Sequence, residues 1–160
     1  GCDDAQESIR EALAELEEIR TILLKAIDED SESFNGFMAA LKMPKNTEEE
    51  KVLRKTAMSQ ALKTASLVPL KVAGQSVRIF KFSRLMLERG NKNAATDAMV
   101  SALAARTAAI GALLNVRINL RLIHDPEFVR TTLEEVLRLE TLTNEQEKEI
   151  TEIGYQLLNQ

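Results

Sequence analysis

The sequence has few residues of several types, and each shortage excludes a class of protein. Cys2 is the only cysteine, so no internal disulfide can form, and we expect a cytoplasmic protein. His124 is the only histidine and has no partner at zinc-binding spacing, so no metal site is expected. Aromatic residues make up 4% and tryptophan is absent, whereas the helix formers alanine and leucine are plentiful. The composition therefore favours a helical protein.

Net charge and hydropathy argue against further classes of protein. A formal net charge of -4 argues against a general nucleic-acid binder, which normally carries a basic patch. The longest apolar run, Ala98 to Leu114, has alanine as its commonest residue and contains Ser101 and Arg106, so we do not expect it to span a membrane. The opening Asp3-Asp4 does not match a signal peptide.

The hydrophobic spacing predicts long helices. Apolar residues from Ile9 to Leu41 recur at three- and four-residue steps, which indicates one amphipathic helix that can bend at its polar stretch, residues 28–33. Residues 47–50 (Thr-Glu-Glu-Glu) match a capping box and predict a second helix from there towards Arg89. Pro69 lies inside this helix and should kink it near residues 67–70.

The remainder is also predicted to be helical. A third helix is expected from after Asn93 to near His124, rich in small side chains and buried on most sides. Asp125-Pro126 predicts the next helix start, and residues 143–146 (Thr-Asn-Glu-Gln) predict another restart. The predicted fold is therefore all-α, an antiparallel bundle of long helices kinked at Pro69, in one domain of residues 1–160.

A polar segment separates two of the predicted helices and is a candidate functional site. It runs from Arg89 through Gly90 and Asn91 to Asp97, and glycine and asparagine tolerate the left-handed backbone that ends helices. The break also brings backbone amides, Lys92 and a carboxylate together. From the residues alone it is either a plain turn or the wall of an anion-handling site.

Several other polar residues are candidates for a functional site, and each could instead have an ordinary surface or structural role. Asp30 belongs to an acidic cluster that otherwise reads as a solvated helix face, and Lys45 is otherwise a surface lysine in a turn. Asn115 and Asn119 are four apart on an apolar helix, with Arg117 pointing elsewhere. Buried asparagines need partners, so the pair indicates either an interhelical network or a polar pocket.

The ordered segments resemble the cyclodeaminase/cyclohydrolase family of folate enzymes. The matching pieces are residues 30–34 (DSESF), 43–51 (MPKNTEEEK), 68–70 (VPL), 90–97 (GNKNAATD), 115–120 (NVRINL) and 123–128 (IHDPEF). Members usually begin with a Gly-rich segment and another helix before the region that matches Asp3, and this sequence has neither.

The resemblance implies a helical homodimer that acts on tetrahydrofolate derivatives without a metal or a tightly bound cofactor. The implied reaction converts 5-formiminotetrahydrofolate to 5,10-methenyltetrahydrofolate and ammonia. The alternative is methenyltetrahydrofolate cyclohydrolase, which interconverts the 5,10-methenyl and 10-formyl forms. A third hypothesis, a non-catalytic helical assembly protein, rests on the long amphipathic first helix and the small-residue third helix.

At the positions that match the family, we expect residues of three kinds. Asp30 and Asp97 are the candidate catalytic carboxylates, with their acid, base and electrostatic roles undivided. The candidate substrate-binding residues are Lys45, Asn91, Lys92, Asn115 and Asn119. The asparagines would hold the pterin or the carboxylates, and the lysines the glutamate tail. No metal ligands are expected.

Overall fold

The computed structural model describes residues 2–159, with side chains from residue 7 onward, and within this range the chain is helical with no strand. Its helices are α1 (Cys2–Leu41), α2 (Glu48–Arg78), α3 (Phe80–Arg89), α4 (Ala95–Leu120) and α5 (Pro126–Leu158). A 3-10 turn, Lys92–Ala94, precedes α4. The predicted all-α bundle is confirmed. The side chains of Cys2, Asp3 and Asp4 lie outside the described residues.

Local sequence explains the starts of α2 and α5. The Thr47 hydroxyl accepts a hydrogen bond from the Glu50 amide at 3.2 Å, and the Glu50 carboxylate accepts one from the Thr47 amide at 3.2 Å. This reciprocal pair is the predicted capping box at the start of α2. The Asp125 carboxylate likewise accepts from the Phe128 amide at 3.1 Å, with Pro126 in the first turn of α5.

Two boundary predictions are wrong. The helix predicted to run to Arg89 is interrupted at Ile79, ten residues after Pro69, so it forms α2 and α3. The restart predicted at residues 143–146 does not occur, because α5 continues through it. Thr143 is fully buried there, and its hydroxyl donates to the Leu139 carbonyl at 2.7 Å inside the helix. The hydroxyl therefore cannot serve as an N-cap.

Helix α4 lies at the centre of the bundle and packs against α2, α3 and α5, while α1 packs mainly against α2. Its buried face is lined by alanine, which lets the neighbouring helices approach closely: Ala98, Ala102, Ala105, Ala109 and Ala112. At Gly154 of α5 the approach is so close that a Cβ atom would lie 2.3 Å from the Met99 sulfur. Any larger residue at this position would therefore force the Met99 side chain to move.

The opposite face of α4 is exposed, so the prediction that this helix is buried on most sides is wrong for the single chain. Val100, Leu114 and Ile118 are 62%, 60% and 52% exposed. By length and composition alone, residues 92–120 are long and apolar enough to cross a membrane, contrary to expectation. Core helices of soluble proteins have the same composition, and one face of α4 forms the core here.

Candidate functional site

A groove between α1, α2 and α4 brings together two of the predicted site residues. Asp30 from α1 and Asn115 from α4 both line this groove, which has a volume of about 570 Å³. Its walls are largely apolar and include Ile27, Pro69 and Ala112. We call it the central groove. An apolar slot with a carboxylate and an amide at its edge suits a flat, partly polar ring.

Asn119 has a structural partner instead of facing the groove. Its side-chain amide donates to the Ala65 carbonyl at 2.9 Å. In a regular helix that carbonyl would accept from the amide four residues later, but this residue is Pro69, which has no N–H. Asn119 therefore supplies the donor that Pro69 lacks and links α4 to α2. Of the two readings of the asparagine pair, Asn119 fits the interhelical network and Asn115 the polar pocket.

The break before α4 differs from its predicted geometry. Gly90 is extended, with φ -81° and ψ -173°. Between residues 2 and 159 no residue, glycine included, has a positive φ. The prediction of left-handed backbone is therefore wrong. Glycine is required for another reason, since a Cβ atom at this position would lie 2.4 Å from the Met86 carbonyl oxygen. Asn91 accepts from the Asn93 amide at 3.0 Å and so begins the 3-10 turn.

The single chain does not gather all the predicted residues in one place. Asp97 is exposed in the first turn of α4, with Asn91 and Lys92 just before it. At 1.5 Å per residue, about 27 Å of helix separates Asp97 from Asn115. Two groups this far apart cannot touch one reacting carbon. Lys45 lies elsewhere again, in a cavity between α2 and the turn at residues 121–125.

The acidic cluster on α1 is only partly a solvated face. Glu29 forms an ion pair with Lys71 of α2, and this pair lowers the pKa of the Glu29 carboxyl. Asp30 remains exposed at the groove. Phe34, which follows the cluster, is 61% exposed. One carboxylate of the cluster thus fixes α1 to α2 while its neighbour stays available to a ligand.

Sequence reasoning missed a group of cations around Lys45. Lys51, Arg54, Lys55 and Lys63 of α2 line the same cavity as Lys45, and so does His124. Lys63 also pairs with Asp125 at 2.5 Å, and this contact is the main cause of the lowered pKa of the Asp125 carboxyl. The signal was present in the sequence, since three of these cations are spaced one to four residues apart on one helix.

Comparison with known proteins identifies the family. Residues 1–138 match the family model described as formiminotransferase-cyclodeaminase. The chain belongs to the formiminotransferase-cyclodeaminase family. It is similar to the formiminotetrahydrofolate cyclodeaminase of Thermotoga maritima, whose crystal structure superposes with a TM-score of 0.85 at 26% identity. That match covers 99% of this chain and 75% of the Thermotoga chain.

Two relatives carry the names of two different activities. The methenyltetrahydrofolate cyclohydrolase of Methylorubrum extorquens is 33% identical over 133 residues, which are 83% of this chain and 64% of that protein. The formimidoyltransferase-cyclodeaminase of Gallus gallus is 35% identical over 131 residues, 82% of this chain and 24% of that protein. The chain thus spans less than two thirds of either relative. The family resemblance inferred from the sequence is confirmed.

Proposed function

We propose that the chain acts in folate one-carbon metabolism and converts 5-formiminotetrahydrofolate to 5,10-methenyltetrahydrofolate and ammonia. The observation that carries this proposal is the central groove, where Asp30 and Asn115 meet between apolar walls in a member of this family. The second candidate is the cyclohydrolase reaction between the 5,10-methenyl and 10-formyl forms. It is favoured by the similarity to the Methylorubrum enzyme of that name.

The proposed chemistry consists of proton transfers that carboxylates can perform. The folate nitrogen N10 attacks the formimino carbon on N5 and loses its proton, which gives a tetrahedral carbon bridging both nitrogens. The amine on that carbon then gains a proton and departs as ammonia. The methenyl product is cationic, so a carboxylate beside it stabilises the charge that develops. Asp30 and Asp97 fill these roles in the proposal, which needs no metal.

A second copy of the chain would resolve the separation between Asp97 and the central groove. The exposed face of α4 forms a stripe whose members are three or four residues apart, except for one adjacent pair at its centre: Asp97, Val100, Ala104, Thr107, Ala108, Gly111, Asn115 and Ile118. A two-fold antiparallel contact centred between Thr107 and Ala108 would pair each stripe residue with another member of the stripe. Asp97 of the partner subunit would then face Ile118, one turn from Asn115. We therefore propose a homodimer with composite sites.

The stripe offers a sharp test of this dimer. A Cβ atom at Gly111 meets nothing within 4 Å in the single chain, so Gly111→Glu should leave the fold intact. In the dimer it would place a charge at a close helix contact. We expect light scattering to show a dimer for the unmodified chain and a monomer for Gly111→Glu. Gly36→Glu on α1, also in open space, is the matched control and should stay dimeric. A dimer that tolerates Gly111→Glu would contradict this arrangement.

Mixing two inactive variants tests the composite site. Asp30→Asn and Asp97→Asn should each lower turnover at least tenfold. Each removes a proton-transfer group, and such groups accelerate a reaction by about 10²–10⁴-fold. In a mixed dimer one site carries both defects and the other carries neither. An equal mixture should therefore recover roughly a quarter of the original activity, since about half of the dimers are mixed. A mixture that recovers no activity would refute a site shared between subunits.

The reaction itself is tested by following methenyl absorbance. Formation of the methenyl product from 5-formiminotetrahydrofolate supports the cyclodeaminase, and interconversion with 10-formyltetrahydrofolate alone supports the cyclohydrolase. Titration with a folate analogue separates both from the assembly-protein hypothesis. Self-association without saturable binding would favour that hypothesis and overturn the enzymatic proposal.

A further inference from the structure

The polar atoms that line the central groove are almost all hydrogen-bond acceptors. Its lining residues with polar side chains are Asp30, Ser31, Ser76, Thr107 and Asn115. Among the described residues that line the groove there is no lysine, arginine or histidine. Lys71 lies on α2 beside the lining residue Val72, but it forms an ion pair with Glu29 instead. The groove therefore carries the negative charge of Asp30 with no cation in its lining to balance it.

The three hydroxyls in the groove have already donated their protons. Each donates to the carbonyl four residues earlier in its own helix, at 3.0 Å for Ser31, 2.9 Å for Ser76 and 3.0 Å for Thr107. A hydroxyl bonded in this way offers a ligand only its lone pairs. The backbone amides of the lining are used within the helices. Among the described lining residues, the Asn115 side chain alone therefore keeps N–H donors for a ligand.

This excess of acceptors favours a ligand that brings N–H donors and a positive charge. The carboxylate of Asp30 would repel an anionic ligand, and a carbonyl on the ligand would find donors only at Asn115. The largely apolar walls exclude part of the solvent and so strengthen the attraction between Asp30 and a cation. Thr107 and Asn115 are about 12 Å apart along α4, so the acceptors extend over the length of a substituted double ring.

Two groups on the folate nitrogen N5 differ in this respect although they have the same shape. A formimino group forms an amidine with N5, which is protonated at neutral pH and presents N–H donors with a positive charge. A formyl group forms a neutral amide with N5 and presents a single acceptor oxygen. We propose that the central groove selects the cationic formimino group over the formyl group, through acceptor oxygens of Asp30, Ser31 and Thr107. This specificity rests on the proposed function and assigns roles to two hydroxyls that the reaction itself does not use.

Calorimetric titration with two unreactive probes tests the selection. The probes are 5-formimino-6-methyltetrahydropterin and 5-formyl-6-methyltetrahydropterin, which differ only in the nitrogen or oxygen on the one-carbon group. Both lack N10, so no ring can close, and both lack the glutamate tail. We expect the unmodified chain to bind the formimino probe about tenfold more tightly, because its hydrogen bonds to the groove are charge-assisted.

The double variant Ser31→Ala/Thr107→Val removes two acceptors and should leave the fold intact. In each case the carbonyl that accepted from the hydroxyl keeps its backbone amide partner in the helix. We expect this variant to bind the formimino probe about fivefold more weakly and the formyl probe as before. A defect in folding or association would weaken both probes, so the ratio of the two affinities isolates the acceptors. The matched control Thr21→Val/Thr131→Val removes two hydroxyls bonded to helix carbonyls outside the groove and should keep both affinities.

A second variant should change the selection in the opposite direction. Asn115→Asp keeps the shape of the side chain, replaces the amide donors and adds a carboxylate. We expect it to bind the formyl probe more weakly and the formimino probe more tightly, widening the preference about tenfold.

The pattern of affinities separates failure of this inference from failure of the proposed function. Equal binding of both probes to the unmodified chain would overturn the selection and leave the groove as a pterin site. A preference that neither variant changes would also overturn it, because the groove acceptors would then not be its cause. Binding of neither probe would overturn the central groove as a pterin site and the selection with it.

Discussion

The contact between Asn119 and the Ala65 carbonyl predicts a specific energetic coupling to Pro69. Replacing Asn119 with leucine, which has a similar shape, leaves that carbonyl without a donor in a half-buried place. Leaving a buried acceptor unsatisfied costs about 1–3 kcal/mol. We therefore expect Asn119→Leu to lower the free energy of unfolding by that amount.

The cost should disappear when the helix can satisfy its own carbonyl. Pro69→Ala restores the amide that hydrogen-bonds to Ala65 in a regular helix. In the Pro69→Ala background, Asn119→Leu should therefore cost less than about 0.5 kcal/mol, giving a coupling free energy of roughly 1–2 kcal/mol. The coupling is informative even if Pro69→Ala alone changes stability through the shape of α2.

Urea denaturation of the four proteins, at one fixed protein concentration, measures this coupling. Asn35→Leu, at an exposed helical position on α1, is the matched control and should change stability by less than about 0.5 kcal/mol. An equal cost of Asn119→Leu in both backgrounds would show that Asn119 does not compensate for the proline.

Three further predictions concern stability. Gly154→Ala should lower the free energy of unfolding by about 1–3 kcal/mol in a thermal melt because its Cβ would meet Met99, whereas Gly36→Ala, in open space, should not destabilise. Thr47→Ala should cost about 0.5–2 kcal/mol in urea unfolding through loss of the capping box. The pKa of Asp125 is lowered in the folded chain, so its stabilising contribution is complete above an unfolded pKa of about 4 and is lost as the pH falls through the folded value. The stability gap between the unmodified chain and Asp125→Asn should therefore close below about pH 4, and a gap that widens there would contradict this assignment.

The parts of the fold that depend on local chemistry were predictable from the sequence. The capping box at Thr47 and the Asp125-Pro126 start are formed by residues within four positions of each other. The failures involve tertiary packing. The pattern at Thr143 is the same local signal, but burial of this residue in the core keeps α5 continuous. No glycine or proline marks the break at Ile79, so the sequence contains no local signal for it.

The candidate site was predictable in part for a related reason. The family segments predict Asp30 and Asn115 as site residues although they are far apart along the chain, and both line the central groove. The sequence could not separate Asn115 from Asn119, which share a helix face. Only the position of α2 shows that one of them faces the carbonyl left free by Pro69.

The arrangement of α4 explains why segments in family order need not form one pocket. A helix of 26 residues places its two ends almost 40 Å apart, so Asp97 and Asn115 can serve one substrate only if the helix meets a second chain. The face that carries both residues is also the exposed apolar face, with Val100 and Ile118 beside them. Residues that would mediate association and residues that would perform chemistry therefore alternate on one stripe. A change such as Gly111→Glu should accordingly abolish dimerisation and turnover together, even though Gly111 contacts no reacting atom in the proposal.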